Sequence, residues 1–427
     1  MEASDIVLQT AVHALLRERG MARSSELQAR LKRSQPTLSR VLAAMAPQLL
    51  VLGAGRSTQY ALPQAIHGYA AQQPLLWVDE DGRHEMLGRL SFIGGDRVHV
   101  HIDASATLSR GVLPWFLAPL RAEGFLGRAL ARQLAVAGLT PDLQAWSLEQ
   151  VLLAALHTPD APGAIVLGEP RAVALPELHH DALADAVATG LSAGSSAGGE
   201  QAKFLARGAD GAPLLVKFTP PRGTPYGERW HDLLHAEALA LQVLGEHGVA
   251  VAHTRVHSTA RRSYLESVRF DRSGRHGRRH VVPLHAVHRA FVPGPQQSWG
   301  DSCAVLARQG RLPTEAAQQA AALQSFGRLI GNTGMHFGNL SLHVTRENLV
   351  RGRFTLAPLY DMLPMCWRPD AYRDGDIGPT PFEPDAFDLQ SPARPLAQLF
   401  WERLAAHAAV GKTMRSLAKT MAQRTRG

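Results

Sequence analysis

Residues 331–342 read GNTGMHFGNLSL, and Asp361 follows in LAPLYDMLP, 22 positions after Asn339. A phosphoryl-transfer loop of the pattern D-x-x-x-x-N carries a base at its first position and a magnesium-ligating amide at its last. A second carboxylate arrives from a later strand. Asn339 and Asp361 occupy the last two places, and Gly334 stands at the first. The spacing predicts a nucleotide- and metal-binding loop without its base.

Working backward, further elements fall in the order such a site needs. Residues 194–203, GSSAGGEQAK, form a Gly-rich stretch with Ser196, Gly198 and Gly199, where missing Cβ atoms let backbone N–H groups approach phosphate. A plain flexible turn has the same composition. Residues 213–218, PLLVKF, read as an apolar strand holding Lys217, and Glu237 follows 20 positions later in the helical pattern HAEALALQVLGEHGV. A lysine in such a strand needs a partner for its charge, and phosphates plus a helix glutamate are one solution. The other is an edge-strand lysine in solvent and an ordinary surface acid. Residues 263–272, SYLESVRFDR, read as a strand leading to a charged turn whose backbone could meet an adenine edge.

The first 62 residues form a separate pattern. Ile6, Leu8, Val12, Leu15 and Leu16 mark an amphipathic helix that Gly20 can end, with Ser24 and Ser25 as candidate N-caps of a second helix. Ser34 caps a third, with Pro36 in its first turn and Leu38, Val41, Leu42 and Met45 on its buried face. LLVLGAGRSTQYAL then reads as two strands around a Gly-rich turn. This order resembles a winged helix-turn-helix. Such a module would place Gln35, Thr37, Ser39 and Arg40 of the third helix in the major groove of double-stranded DNA, with Arg56 of the wing on backbone phosphate. Use of the same module for protein contact is the alternative.

Residues 74–103 alternate about an Asp-Gly and a Gly-Gly turn and predict a small antiparallel sheet; residues 111–158 read as helical, with an aromatic cluster that belongs to the core. Short strands return from 163, helical patterns dominate after about 290, and the basic C-terminal segment reads as a solvated face. The chain has 427 residues, too many for one compact core, with 45% hydrophobic and 19% charged residues and a formal charge of +8. Basic surface favours a polyanionic partner. Cys303 and Cys366, far apart and without a C-x-x-C companion, argue against a disulfide framework or a zinc site built on cysteine. No basic leader or long apolar run precedes the fold, which points to a cytoplasmic protein, at the nucleoid where DNA is engaged.

SAGGEQAKFL, LLVKF, VRFDR, GNTGMHFGNLSL and LAPLYDMLP together resemble the HipA family of bacterial serine/threonine kinases, toxins of toxin-antitoxin pairs. With the module in front, the chain looks like the YjjJ-type subgroup. The resemblance implies an α+β chain: a winged helix-turn-helix at 1–64, a HipA-like N-terminal subdomain at 65–162, a β-rich kinase-like N-lobe at 163–290 and a helical C-lobe at 291–427. It implies that Lys217 holds ATP phosphates, Glu237 orients Lys217, the backbone around Val268 and Phe270 forms the adenine hinge, and Asn339 and Asp361 carry Mg2+. It further implies an antitoxin partner and a regulatory phosphorylation at Ser196. The family's catalytic aspartate is Gly334 here, and His336 is the nearest titratable side chain. Two functions follow: an ATP-dependent protein kinase of reduced efficiency, or a nucleotide-binding, catalytically silent DNA-binding regulator.

Overall fold

The structure, a computed structural model, describes residues 3–135, 138–189, 201–369 and 378–426. At the front, α1 (Ala3–Arg19), β1 (Met21–Arg23), α2 (Ser24–Leu31), α3 (Gln35–Ala44), β2 (Leu50–Leu52) and β3 (Gln59–Ala61) enclose their own core of Leu8, Val12, Leu16, Leu27, Leu38, Val41, Leu42 and Met45. The three strands pair in the order β1-β3-β2. Ile6 departs from the expected face: it is 50% exposed, while Leu8, Val12 and Leu16, with Leu15 partly buried beside them, meet the core. Ser24 and Ser25 are not caps but lie in the first turn of α2. The cap position is Arg23, whose backbone N–H donates to the Glu26 carboxylate at 2.9 Å. Ser34 does cap α3, accepting from the Thr37 N–H at 3.5 Å.

A second sheet follows, built from β4 (Gln72–Val78), β5 (His84–Ile93), β6 (Arg97–Ile102), β7 (Ser105–Arg110) and, later in the chain, β8 (Ile165–Leu167), in the antiparallel order β7-β6-β5-β4-β8. Its turns hold Gly82 and Gly95 at φ of 86° and 74°, where a Cβ is disfavoured. Between β7 and β8, α4 (Gly124–Gln133) and α5 (Leu148–Leu156) alternate with 3-10 turns at Trp115–Leu120 and Leu143–Ala145. Pro114 and Pro119 break the longer helix that the sequence pattern implied. The aromatic cluster is core: Phe116 and Phe125 are buried, and Trp115 packs edge-on against Phe291 and Phe354.

The third unit has a helix on each face of its sheet. α6 (His180–Thr189), β9 (Lys203–Arg207), β10 (Pro213–Phe218), α7 (Pro225–Glu246), β11 (Thr254–Ser258) and β12 (Ser263–Val268) form an antiparallel sheet ordered β11-β12-β10-β9. The chain then makes the hairpin β13 (Arg272–Ser273) and β14 (Gly277–Arg278), strand β15 (Val281–Pro283) and helices α8 (Leu284–Phe291), α9 (Trp299–Arg308) and α10 (Thr314–Leu329). After β16 (Ser341–His343), which pairs with β15, and β17 (Thr355–Leu356), which pairs with β16, come α11 (Arg394–Ala406) and α12 (Lys412–Arg426). Trp299, Phe326, Phe400 and Trp401 are almost wholly buried among these helices. No helix among the described residues is long and apolar enough to cross a membrane.

The charged turn after β12 is not solvated. Arg269 and Arg272 both pair with Asp160 and Asp271, and Asp271 also accepts the Gly163 N–H at 3.0 Å. Burial alone would raise the Asp271 carboxyl, but the two guanidiniums hold it well below its ordinary range. Beside this network His280, 2% exposed, accepts the Ala164 N–H at Nδ1 and donates from Nε2 to Phe116 O at 2.9 Å. Burial pushes its pKa down to about 4. The unfolded chain therefore binds the extra proton first as pH falls below about 6.5. Stability is expected to be full above that value and to drop by up to about 3 kcal/mol as pH approaches 4. Urea unfolding at a series of pH values measures the slope, and a His280→Gln variant should lose that part of it.

Candidate nucleotide and metal site

β10 is an interior strand, between β12 and β9. Strand alternation turns Val216 and Phe218 to the apolar side under α6 and Lys217 to the side under α7, where it is 7% exposed. The solvated edge-lysine reading is thereby excluded. The ammonium donates to Glu237 Oε1 and Oε2 at 2.6 and 2.8 Å and to Asp361 Oδ1. Burial would depress the Lys217 ammonium, yet the Asp361 and Glu237 carboxylates outweigh it and hold the pKa above the ordinary lysine range. Burial raises Glu237, against the pull of Lys217, while the cation holds Asp361 below its usual range. One strand, one helix and one distant loop thus meet at a single charge.

The loop after α10 is held by its own side chains. Gly331 turns at φ 73°, and a Cβ there would lie 2.6 Å from Cys366 Sγ and 2.7 Å from Phe382 Cε1. Asn332 accepts the Gly334 N–H at 2.9 Å and donates to Asp361 O at 3.0 Å, joining the loop to the aspartate, whose own φ is 55°. Asn339 donates from Nδ2 to Gly334 O at 2.8 Å. Only an amide NH2 can make that bond, so Oδ1 is left as an acceptor. His336 is exposed; its Nδ1 accepts the Gly338 N–H at 3.1 Å and its carbonyl accepts from Trp299 Nε1 at 3.3 Å. Gly334 differs from Gly331: a Cβ would meet Asn332 Oδ1 at 3.3 Å and Met365 Cγ at 3.5 Å, and its φ is not in the left-handed region.

A cavity of about 640 Å³ opens in front of these groups, lined by Lys217, Glu237 and Asp361, by Leu205, Leu215 and Leu265 of the sheet, and by Val268 and Phe270. Such a volume suits a nucleotide-sized ligand. The N–H groups of Val268 and Arg269 are already given to His253 O and Pro213 O. The segment also brings the Phe270 ring to the cavity, 5.5 Å from that of Tyr360. The oxygen donors of Asn339 and Asp361 beside this cavity fit Mg2+, a hard cation. Ser196, Gly198 and Gly199 lie outside the described residues.

Sequence reasoning missed three participants. Lys203 stands opposite Lys217 in the β9–β10 register, and its charge acts on both Glu237 and Asp361; the alternation of KFLAR carried that signal. Asp160 braces the turn at Arg269 from across the chain, and Glu123, half-exposed, reaches the cavity wall 4.0 Å from His285 Nε2. In the N-terminal unit Gln35, Ser39 and Arg40 are exposed and Thr37 is half-buried, hydroxyl to hydroxyl with Ser34 at 2.9 Å. Arg40 pairs with Asp5 at 3.0 Å. Arg56 falls in the 3-10 turn Gly55–Ser57 between β2 and β3.

Residues 195–426 match the family model of the HipA-like C-terminal domain, and residues 69–174 that of the YjjJ-like toxin middle domain. The chain is 34% identical to Toxin YjjJ of Escherichia coli (strain K12), covering all of this chain and 97% of the relative. Among solved structures, it is similar to HipA of Shewanella oneidensis MR-1, in a complex with HipB and operator DNA, with a TM-score of 0.58 at 18% identity over 83% of this chain and 95% of that one.

The two loop glycines should respond differently to a methyl group. Gly331→Ala is expected to destabilise by about 2 kcal/mol, from strain at positive φ and the collision with Cys366 and Phe382. Gly334→Ala should cost less than about 1 kcal/mol. Denaturant midpoints at unchanged m-value compare the two.

Proposed function

The chain belongs to the HipA-like toxin family, and from that premise we propose that it is an ATP- and Mg2+-dependent protein serine/threonine kinase with its own DNA-binding module, slowed by Gly334. The observation that carries the reading is the convergence of Lys217, Glu237 and Asp361 on one cavity beside the loop of Asn339. Lys217 would hold nucleotide phosphates, and Glu237 fixes its ammonium. The apolar walls at Leu205, Leu215, Leu265 and Phe270 would take the base. Asn339 Oδ1 and Asp361 would hold Mg2+, which when bound neutralises charge developing on the phosphoryl oxygens. Ser196 is the candidate for regulatory phosphorylation, and an antitoxin partner is carried over from the family on the same footing.

What position 334 lacks is a carboxylate to orient the acceptor hydroxyl and take its proton. Such a group is worth about 10²- to 10⁴-fold. His336 can contribute only through Nε2, since Nδ1 is engaged with the Gly338 N–H. The second reading, a nucleotide-binding regulator without transfer, is favoured by this same vacancy. The N-terminal unit supports DNA binding in either case: it has the helix order and hairpin of a winged helix-turn-helix, and α3 presents Gln35, Ser39 and Arg40 to solvent. The pairing of Arg40 with Asp5 is an exposed one of the kind worth little, so phosphate can displace it.

Transfer of labelled γ-phosphate separates the readings. Gly334→Asp, where a Cβ presses only on Asn332 Oδ1 at 3.3 Å, is expected to raise transfer by about 10²- to 10⁴-fold, and Asp361→Ala to abolish it. Nucleotide-induced thermal stabilisation with no transfer in either the natural chain or Gly334→Asp leaves only the regulator.

Duplex DNA binding should weaken steeply with salt, and Arg40→Ala should lower the slope of log K against log salt by about 1. A slope near zero for the natural chain removes the DNA-binding half of both readings.

A further inference from the structure

The sheet that presents Lys217 to α7 carries a second group of titratable side chains on its opposite face. Glu266 lies across from Val216 in the β10–β12 register and so points away from the cavity, toward α6. It is 5% exposed. His180 begins α6, and His257 stands on the edge strand β11 beside Tyr264. One ligand atom from each of His180, His257 and Glu266 lies within 4.8 Å of the others. His180 Nε2 is 2.8 Å from Glu266 Oε1, and the two imidazoles stack at 4.1 Å between centroids, 23° from parallel.

A hydrogen-bonded His–Glu pair explains His180 and Glu266 but not the third member. His257 meets only the rings of His180 and Tyr264 among its described contacts, and it faces solvent. Two imidazoles and one carboxylate are a donor set suited to Zn2+. The buried carboxylate is already oriented: Arg255, opposite it on β11, donates to Oε2 at 2.8 Å and leaves Oε1 for a metal.

We propose that His180, His257 and Glu266 form a zinc site with water in the open fourth position. With metal–ligand bonds of about 2.0–2.2 Å, ligand atoms of a tetrahedral site stand roughly 3.3 Å apart. The His180–Glu266 pair opens by a few tenths of an ångström, and His257 turns in from solvent. His180 binds through Nε2 with its proton on Nδ1, so the Nε2–H···Oε1 bond is exchanged for two bonds to the ion. Three elements are then clipped together: α6, the edge strand and the strand beside it. α6 is also the last described element before β9.

The test uses the full chain stripped of metal by a chelator, with Co2+ as the spectroscopic probe and Zn2+ as competitor. Expected are the intense visible band of four-coordinate Co2+, its loss on adding Zn2+, and a rise in Tm with Zn2+ alone. His257→Ala, at an exposed position that leaves the core intact, should remove the band and weaken Zn2+ by about 100-fold or more, with the metal-free Tm little changed. Glu266→Gln should act likewise. No band in the natural chain, or the same band in His257→Ala, overturns the site. Nucleotide binding and phosphate transfer do not enter these readouts, so the outcome is independent of the kinase reading.

Discussion

A lysine on an interior strand is the constraint around which the described cavity is organised. Leaving Lys217 charged and unpartnered would cost several kcal/mol, and removing one member of a buried pair typically costs about 3–5 kcal/mol. The two carboxylates that answer it come from α7 and from the segment after β17, 20 and 144 residues away. The same charge therefore fixes how α7 lies on the sheet and where Asp361 is held. With two carboxylates on one ammonium the cluster has an excess of negative charge, and Lys203 on the neighbouring strand lies close enough to moderate it. Such a site has spare capacity for a cation and for the phosphates that travel with it.

The loop shows how binding and turnover can separate within a few residues. Asn332 and Asn339 spend amide groups on backbone atoms of Gly334 and Asp361, so loop and aspartate keep their relative position without any help from a side chain at 334. Gly331 supplies the turn and the close approach to Cys366. Geometry survives the vacancy because it was never carried by that side chain.

Much of this was legible in the sequence because its signals are local. An apolar strand interrupted by one lysine, a glutamate at helical distance and the spacing from Gly334 to Asn339 each need only a few neighbouring residues to be read. Where the deciding partner is distant, reading stopped. The charged turn after β12 showed no partner in its own stretch of sequence, because Asp160 stands 109 residues from Arg269, and the pairing buries both. Ser24 and Ser25 looked like caps, yet a three-residue strand just ahead of them moved the helix start back to Arg23 and gave the capping role to Glu26. Ile6 fitted the helical period, but the α1 face that meets the core is centred on Leu8, Val12 and Leu16 and leaves Ile6 outside it.

The period of two in β10 and β12 has a further consequence. It sends Lys217 and Leu265 to the cavity and, at the very next positions, sends Val216, Phe218, Tyr264 and Glu266 to α6. A sheet this thin cannot change one face without the other: a shift of β10 by one residue would turn Val216 and Phe218 toward α7 and set Lys217 among Phe204, Tyr264 and Ala184. The outer contacts, with Tyr264 donating to Asp181 at 2.5 Å and Arg262 paired with Asp185, therefore protect the inner ion cluster by pinning the register. Placement of Lys217 depends on both sides of the sheet, and α6 is as much a part of that placement as Glu237.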